Sequence, residues 1–417
     1  MKKNILIWSA SYPPVLGGLQ TITGSLAEGL RAQGNNITIL TNRVPSKLSK
    51  FEFINGTPVY RFRFYHPILP ISSFKSLLIS VYGFCIYPIQ IIQLFFFIRR
   101  LNPDIINIHF PSVQIWWVGT LRKAFRNIKW ITSLHGDDIL QFFEARDGIT
   151  QPWVRKDLSK AEKIRIHFLR SCLFNSMTVT ACSHYLMNLT KILMEDKKFN
   201  ELVVYNGIDF SRFETNRKKL YEQKYVFAYG RLTYAKGFDM LIRCFKRLVD
   251  EKGENYKLIL GGTGEELTRL KKLTNDLGVR GKVIFRGRLS LPDIDSYLEH
   301  SALTVIPSRR EPFGISLLEA LGAKANIVAT NVGGMPEIPR NGEVLLCQPD
   351  EDSLFKAIEK RLDNPLSRDR QNSQELNKIF SRENMIDQFT AIMEYSTEAT
   401  LIGDSVETKV FEKSIAG

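Results

Sequence analysis

The sequence predicts an α/β chain built from two doubly wound parallel-sheet units in tandem, and three observations carry that prediction. Short apolar segments alternate with helical segments along most of the chain, as in parallel sheets covered by helices. The length of 417 residues is roughly two to three times that of a usual single domain. A turn-forming Asn206-Gly207 pair, followed by a charged stretch at 212–224, separates two series of these segments.

The first series opens with a strand, a loop and a helix. Ile5–Trp8 is a short apolar run typical of a buried strand, 11–18 is a Pro/Gly loop, and 19–33 has helical spacing. The other strands of the two series are predicted at 37–40, 105–109, 130–134, 225–229, 257–260, 282–285 and 303–306.

These segments define the expected domains. We place a first Rossmann-like domain at 1–205 and a second at 206–396. A final helix near 381–396 is a candidate to cross back to the first domain. The polar, weakly periodic residues 397–417 predict a loose tail.

One segment of the first domain is unusually apolar. Residues 76–98 form 23 consecutive positions without a charge, bracketed by Lys75 and Arg99, and a bilayer span needs about 20 apolar residues. The strand at 105–109 follows almost at once, so a spanning helix would place the two parts of one sheet on opposite sides of a membrane. A helix lying in the membrane interface is therefore favoured, with a buried core helix and a true span as the alternatives.

The charge of the chain is strongly positive and unevenly distributed. There are 57 Lys and Arg against 43 Asp and Glu, a net charge of +14. Residues 1–205 contain 25 basic and 12 acidic residues, whereas residues 206–417 contain 32 and 31. Such a first half attracts pyrophosphate, anionic lipid or nucleic acid. Nucleic acid is disfavoured because the cations are dispersed, without an aromatic-interleaved or helix-turn-helix pattern.

The cysteines and the N-terminus predict a cytoplasmic protein. The five cysteines are odd in number and show no Cys-x-x-Cys pair or His/Cys metal spacing, which is typical of reduced thiols. The apolar run at Ile5–Trp8 is too short for the core of an export signal.

The strongest local pattern lies after the strand at 303–306. A loop with Glu311 and Phe313-Gly314 turns into a helix that carries Glu319. Free backbone N–H groups at such a junction suit a phosphate, and carboxylates suit sugar hydroxyls. The alternative is a helix with Glu311 near its start for dipole reasons and Glu319 on a solvated face.

Two further loops occupy the ligand-binding ends of predicted strands. Arg231 and Lys236 follow the strand at 225–229, where two cations can clamp a diphosphate. Gly262, in a Gly-rich loop after the next strand, is a second candidate for donor binding. Solvated loop cations and a simple turn are the alternatives.

The combination of motifs resembles a known family. The motifs of the second half are Gly230-Arg231-Leu232, Lys236-Gly237, Glu311 with Phe313-Gly314, Glu319, and Gly333-Gly334-Met335-Pro336-Glu337. Those of the first half are Pro14 to Gly17-Gly18, Thr132 to Asp137, and Asn206-Gly207-Ile208-Asp209. In order and spacing they resemble family 4 retaining glycosyltransferases of the GT-B fold, across nearly the whole chain.

The resemblance implies roles for the residues of the second half. Arg231 and Lys236 would hold the diphosphate of a nucleotide sugar and stabilise the charge of the leaving group. Glu311 would bind the transferred sugar and Glu319 the ribose of the donor. The backbone of Phe313, Gly314 and Ile315 would lie nearby.

In the first half, the resemblance implies that Gly18, beside Gly17, approaches the diphosphate through its backbone. His135 would contact the sugar as a catalytic residue. Asp137 is a weaker candidate that could merely cap the following helix. His109, on a strand end, is weaker still.

A metal site is not expected. Asp293-Ile294-Asp295 has the letters of the Asp-x-Asp metal motif of another glycosyltransferase fold, but Ser290-Leu291-Pro292-Asp293 is typical of a helix start. We interpret the acids as capping residues, since Arg231 and Lys236 already supply the positive charge that a metal would bring. No cofactor is expected besides the nucleotide sugar substrate.

The sequence thus predicts a retaining, metal-independent glycosyltransferase that moves a sugar to a hydroxyl in a cleft between two lobes. The basic first half and the apolar segment 76–98 predict a lipid-linked glycan acceptor, as in cell-surface polysaccharide biosynthesis, and a peripheral position on the inner face of a membrane. The alternatives are a soluble starch-type synthase, a sugar-nucleotide epimerase, a nucleic-acid-binding protein and a non-catalytic membrane scaffold with a nucleotide pocket.

Overall fold

The structure, a computed structural model, describes most of the chain and consists of two compact units. The described residues are 2–15, 17–64, 74–112, 114–146, 149–195, 197–214, 217–253, 256–339, 342–367 and 374–395. The first unit comprises Met1–Glu144, Pro152–Asn206 and the chain from Arg382 onward, and the second comprises Ala145–Gln151 and Gly207–Ser381. The tail predicted at 397–417 lies outside the described residues.

Up to Asn206, the described chain is a mixture of strands and helices. The strands are β1 (Asn4–Ser9), β2 (Asn36–Asn42), β3 (Phe51–Ile54), β4 (Thr57–Phe62), β5 (Ile105–His109), β6 (Lys129–Leu134), β7 (Phe143–Arg146), β8 (Ile149–Val154), β9 (Thr178–Ala181) and β10 (Glu201–Val203). The helices are α1 (Gly18–Ala32), α2 (Phe74–Leu101), α3 (Ile115–Ala124), α4 (Asp137–Leu140), α5 (Lys160–Phe174) and α6 (His184–Leu193).

The sheet of the first unit has a doubly wound strand order. Its eight strands run β10-β9-β6-β5-β1-β2-β4-β3, and every neighbouring pair is parallel except β3 with β4. The chain order reverses between β1 and β5, and ligands of such sheets bind where the strand order reverses, outside the carboxyl ends. β5 ends at His109, so this residue lies at that point of the first sheet.

The second unit is a six-stranded parallel sheet. Its strands are β11 (Tyr225–Tyr229), β12 (Lys257–Gly261), β13 (Val283–Gly287), β14 (Leu303–Ile306), β15 (Ile327–Thr330) and β16 (Val344–Cys347). Its helices are α7 (Phe238–Lys252), α8 (Leu267–Asp276), α9 (Leu291–His300), α10 (Ile315–Gly322), α11 (Glu351–Asp363) and α12 (Gln374–Phe380). The order β13-β12-β11-β14-β15-β16 reverses between β11 and β14.

The last described helix, α13 (Arg382–Tyr395), belongs to the first unit. It packs against α1 where Gly29 leaves room, since a Cβ there would lie 2.0 Å from Cδ1 of Ile386. The second unit ends at Ser381. The sequence places the end of the second domain at 396 and gives the helix near 381–396 as a candidate to cross back to the first domain.

Helix α2 covers the apolar run predicted at 76–98 and has large apolar side chains on both its buried and its exposed side. One side packs into the first unit through the buried side chains of Leu94 and Ile98. The other side exposes a stripe of large apolar side chains: Leu78, Val81, Tyr82, Ile89, Ile92 and Phe96. We call these six residues the α2 stripe. They argue against a helix that is buried all round.

The predicted fold class is confirmed. The eight predicted strands coincide with β1, β2, β5, β6, β11, β12, β13 and β14 to within one or two residues at each end. The parallel pairing follows because most of these strands are rich in apolar residues and most are joined to the next through a helix.

Candidate functional site

The candidate site of the second unit lies at the carboxyl ends of the adjacent strands β11 and β14. The loop after β11 carries Arg231 and Lys236, and the loop after β14 carries Glu311. Because both loops leave the carboxyl ends of adjacent parallel strands, they meet at one edge of the sheet.

A set of bonds fixes these two loops to each other. The backbone N–H groups of Arg309 and Arg310 donate to the carbonyl oxygen of Ala235 at 2.7 and 3.2 Å. The Arg309 guanidinium donates to both carboxylate oxygens of Asp239, at 2.7 and 3.2 Å, and lies over the Tyr234 ring at 4.2 Å. The position of Lys236 relative to the β14 loop is therefore fixed by contacts on both sides of it.

Lys236 and Glu311 contact each other directly. The Nζ atom of Lys236 lies 2.5 Å from Oε2 of Glu311, and the Ser308 hydroxyl donates to the same oxygen at 3.2 Å. Glu311 is only 7% exposed, so the cation offsets much of the cost of burying the carboxylate. The structure thus brings together the cation and the carboxylate that the sequence predicts for the diphosphate and the sugar.

Arg231, the other predicted diphosphate ligand, is exposed on the β11 loop. Its role in a clamp with Lys236 stays a prediction.

Gly262 and Gly333 allow backbones to approach closely around the site. Gly262 has φ of 125°, and a Cβ there would lie 1.9 Å from the carbonyl oxygen of Gly230. Gly333 has φ of 59°, and a Cβ would lie 1.8 Å from the carbonyl oxygen of Glu311, which also accepts the N–H of Gly334 at 3.1 Å. The Gly-Gly pair of the 333–337 motif thus supports the loop that carries Glu311.

The predicted residues 313–315 are presented mainly as backbone. The Phe313 side chain is buried and packs near Phe380, with ring centroids 6.0 Å apart. Gly314 precedes α10 in the left-handed conformation, and Ile315 is the first helical residue. The N–H groups at this helix start are the groups that an oxygen-rich ligand would meet.

Glu319 lies in a buried cluster of charges that the sequence analysis did not predict. Its Oε1 is 3.0 Å from the Arg212 guanidinium, and the Tyr229 hydroxyl donates to its Oε2. Arg212 also binds Oδ1 of Asp295 at 2.6 Å, and Arg217 binds Oδ2 of Asp295 at 3.1 Å. We call Arg212, Arg217, Asp295, Glu319 and Tyr229 the Glu319 cluster.

The electrostatics of this cluster follow from burial and pairing. Burial raises the pKa of Glu319, while Arg212 and the Tyr229 hydrogen bond oppose that rise. Burial alone lowers the pKa of Arg212, but the carboxylates of Glu319 and Asp295 outweigh it and raise the value. Burial and the nearby Glu319 carboxylate both raise the pKa of Tyr229, so its hydroxyl stays protonated and donates.

The two aspartates of the Asp293-Ile294-Asp295 pattern have different roles. Asp293 and Ser290 form a capping box at the start of α9, which confirms the capping interpretation for Asp293. Asp295 instead pairs with Arg212 and Arg217. Among the described residues there is no group of three or more His, Cys, Asp or Glu that could hold a metal ion.

In the first unit, the predicted residues surround the carboxyl ends of β1 and β6. Gly17 precedes α1 in an extended conformation, and Gly18 is its first residue. His135 directly follows β6 and is half-buried. His109 lies behind it, with Nδ1 of His109 at 2.9 Å from Nε2 of His135.

Both histidines of this pair are neutral near pH 7. Burial lowers the pKa of His135 to about 4. Burial and the neighbouring His135 lower the pKa of His109 well below its usual value. His109 is the weakest candidate in the sequence, because a position at a strand end does not by itself show a contact with His135.

The carboxylate that supports the His135 loop is that of Asp138, next to the weaker site candidate Asp137. Asp138 is buried and accepts the backbone N–H groups of His135 and Gly136 at 3.0 and 2.7 Å. Burial raises the pKa of Asp138 to about 7 despite these two bonds. Asp137 is exposed and is not the N-cap of α4, which is Gly136. Asp138 is not among the residues predicted from the sequence, and the site role of Asp137 stays a prediction.

Comparisons with known proteins agree with this architecture. The model of "Glycosyltransferase Family 4" matches residues 16–212, and that of "Glycosyl transferases group 1" matches residues 210–378. An uncharacterized glycosyltransferase of Methanocaldococcus jannaschii is 30% identical over 81% of this chain and 82% of that protein. The N-acetyl-alpha-D-glucosaminyl L-malate synthase of Bacillus anthracis is 26% identical over 81% of this chain and 82% of the synthase.

A solved structure extends the likeness to the fold. The Anabaena protein HepE, in complex with UDP and glucose, superposes with a TM-score of 0.68 at 17% identity, covering 95% of this chain and 100% of HepE. The fold is therefore GT-B. The chain belongs to glycosyltransferase family 4, and it is a glycosyltransferase.

The Gly333 contact gives a testable prediction. Gly278 has a similar φ of 69° but open space around the added Cβ, so Gly278→Ala should lower the free energy of unfolding by about 1 to 2 kcal/mol from backbone strain alone. Gly333→Ala should cost roughly 1 to 3 kcal/mol more, because the Glu311 carbonyl must move. Urea unfolding followed by circular dichroism measures both, and equal losses would show that the close approach is unimportant.

Proposed function

We propose that the protein is a retaining, metal-independent glycosyltransferase that moves a sugar from a nucleotide diphosphate sugar to a hydroxyl of a lipid-linked glycan. The observation that carries the donor part of this proposal is the contact between Lys236 and Glu311. It places a cation for the diphosphate beside a carboxylate that can accept hydrogen bonds from sugar hydroxyls.

The cation supports departure of the nucleoside diphosphate. Negative charge grows on the leaving phosphate in the transition state, and a fixed Lys236, with Arg231 on the same loop, would stabilise it without reorganisation. Positive charge from side chains would take the place of a metal ion. The Anabaena HepE complex holds UDP and glucose, which favours UDP as the first donor to test.

The proposed stereochemistry rests on the family resemblance. In the described part of the site, Glu311 contacts Lys236 and Ser308. Both of these side chains donate to Glu311, so neither Lys236 nor Ser308 is placed to take the proton of an acceptor hydroxyl. The leaving phosphate itself is therefore the proposed base for the acceptor hydroxyl. His135, neutral near pH 7, is proposed to contact the sugar as a hydrogen-bonding group.

The acceptor proposal rests on the surface of the first unit. The α2 stripe exposes apolar side chains over five helical turns, with Ile92 55% and Phe96 61% exposed. By length and composition, Val81–Leu101 is the one segment among the described helices that could cross a membrane. Its exposed face fits a helix that lies in the interface, half in lipid and half on the protein.

Cations border this stripe. Phe95 on α2 packs against Phe125, with ring centroids 5.1 Å apart, and the exposed Lys123 and Arg126 lie within two residues of Phe125. Arg99 and Arg100 are exposed at the same end. An apolar stripe with a basic border matches an anionic bilayer surface, where each cation adds about 1 kcal/mol. A peripheral position on the cytoplasmic face of a membrane is therefore proposed.

A small soluble acceptor is the competing proposal. The Bacillus anthracis relative is named for a malate product, so an acceptor of that size is compatible with the family. In that case the basic first unit would steer nucleotide sugars, and the α2 stripe would have no part in activity.

The donor proposal predicts the effect of removing either partner of the central contact. Lys236→Ala and Glu311→Gln should each lower kcat/KM for sugar transfer by at least about 100-fold, the effect of losing one group that stabilises the transition state. Lys246→Ala and Asp250→Asn remove another ion pair of the second unit, on the exposed side of α7, and should leave transfer unchanged. Near-normal transfer by Lys236→Ala and Glu311→Gln would contradict the assignment.

Vesicle flotation tests the membrane proposal. The wild type should float with vesicles that contain phosphatidylglycerol, and Ile89→Ser/Ile92→Ser/Phe96→Ser should bind them at least about tenfold more weakly because apolar area is lost. Lys123→Glu/Arg126→Glu should weaken binding to anionic vesicles only.

A matched control for flotation lies on α5, where Ile164 and Phe174 are exposed apolar residues of the same unit. Ile164→Ser/Phe174→Ser should float like the wild type. A wild type that does not float, or an α2 variant that floats as well as the α5 variant, would favour the soluble acceptor.

A further inference from the structure

The Glu319 cluster includes Arg212, which lies close to the ligand-binding end of the second sheet and contacts Glu319. Glu319 is 6% exposed and lies on α10, and Tyr229 ends β11, so the cluster adjoins the point where the strand order reverses. Arg212 reaches it from the 3₁₀ turn Phe210–Phe213, directly after the segment that connects the two units.

We infer that Arg212 is a positioning residue that holds the Glu319 carboxylate ionised and oriented to receive two adjacent hydroxyls of the donor ribose. This inference rests on the proposed function, since it takes a nucleoside diphosphate as the ligand of the site. Arg212 acts through Glu319.

The count of hydrogen-bonding positions supports this role. Each oxygen of a carboxylate has two lone pairs. Arg212 occupies one on Oε1, and the Tyr229 hydroxyl occupies one on Oε2. One position therefore stays on each oxygen, and a vicinal diol has two donors at a spacing that suits the two oxygens of a carboxylate.

Arg212 is itself held in one orientation. Its Nε and terminal nitrogen donate to Oδ1 of Asp295 at 3.2 and 2.6 Å, and its guanidinium lies over the Phe213 ring at 4.7 Å. Asp295 is fixed in turn by Arg217. A lysine has neither the planar fork nor the stacking face of arginine, so Arg212→Lys would keep the charge and lose the orientation.

The charge balance explains why Glu319 needs this partner. The titratable and charged groups that face it are Arg212, Tyr229 and Asp295. Burial, with a smaller contribution from Asp295, favours the protonated acid, whereas Arg212 and Tyr229 favour the carboxylate. Without Arg212 the acid would hold its proton to higher pH. A protonated acid has fewer acceptor positions for the ribose.

Arg217 provides a matched control. It binds Oδ2 of Asp295 at 3.1 Å, as Arg212 binds Oδ1, and it donates to the backbone carbonyl oxygen of Arg212 at 2.7 Å. Of these two arginines, only Arg212 is paired with Glu319. Removing either arginine therefore weakens the pairing of Asp295, and only removal of Arg212 takes a direct partner from Glu319. A purely structural cluster would make the two substitutions equivalent.

The experiment measures binding of UDP, GDP and ADP, each beside its 2′-deoxy analogue, by calorimetry at several pH values. The wild type should prefer the ribose form of the diphosphate it binds by roughly 10- to 100-fold, the effect of one hydrogen bond to a charged group. Arg212→Gln and Glu319→Gln should each reduce this preference to within about threefold of unity, and Arg217→Gln should retain it.

The pH profile separates positioning from loss of folding. In Arg212→Gln, the preference for ribose should recover as the pH is raised, because Glu319 then ionises. In the wild type and in Arg217→Gln the preference should already be present at lower pH, because Arg212 opposes the rise that burial causes in the pKa of Glu319. If Arg212→Gln does not fold, Arg212→Lys and Tyr229→Phe test the same inference, and each should lower the preference for ribose.

Two outcomes are distinguishable. A wild type that binds none of the three diphosphates would overturn the proposed function. A wild type that prefers ribose, with Arg212→Gln or its substitute Arg212→Lys showing the same preference, would overturn the role of Arg212 alone.

Discussion

The contact between Lys236 and Glu311 is the interaction on which the candidate site of the second unit depends. A carboxylate that is almost wholly buried is stable only when a cation and hydrogen-bond donors surround it. Here the cation comes from the loop after β11 and the carboxylate from the loop after β14. Both loops must therefore be fixed, and the bond of Arg309 to Asp239 and the close approach of Gly333 to Glu311 serve that end.

Glu319, the second carboxylate that follows β14, has charge and hydrogen-bond partners of its own. Glu319 is paired with Arg212 and Tyr229, and Glu311 with Lys236 and Ser308, so the two acids do not compete for one cation. Each keeps oxygen positions for a ligand. The strand order explains why both acids follow β14, because this strand flanks the point where the chain order of the sheet reverses.

Much of this arrangement is contained in the sequence, for particular physical reasons. Strands buried on both faces leave uninterrupted apolar runs, so β1, β5 and β14 are visible without a structure. Lys236 and Glu311 are predictable because each lies a few residues after such a strand.

The residues that the sequence analysis missed act through contacts between distant segments. Arg212 pairs with Glu319 across 107 positions, and His109 meets His135 across 26. Asp138 was not predicted, since its burial and its bonds to the backbone N–H groups of His135 and Gly136 are visible only in the structure. The exposed side of α2 was likewise hidden, because an uncharged run does not show which of its side chains pack inward.

The most direct test of the account is to incubate the protein, in buffer with EDTA and in the presence of a membrane lipid extract, with a panel of nucleotide sugars and to identify the nucleoside diphosphate that is released. The account predicts release of one nucleoside diphosphate without added metal, from donors that share its base. Release from none of the donors, or release only after Mg²⁺ or Mn²⁺ is added, would contradict it.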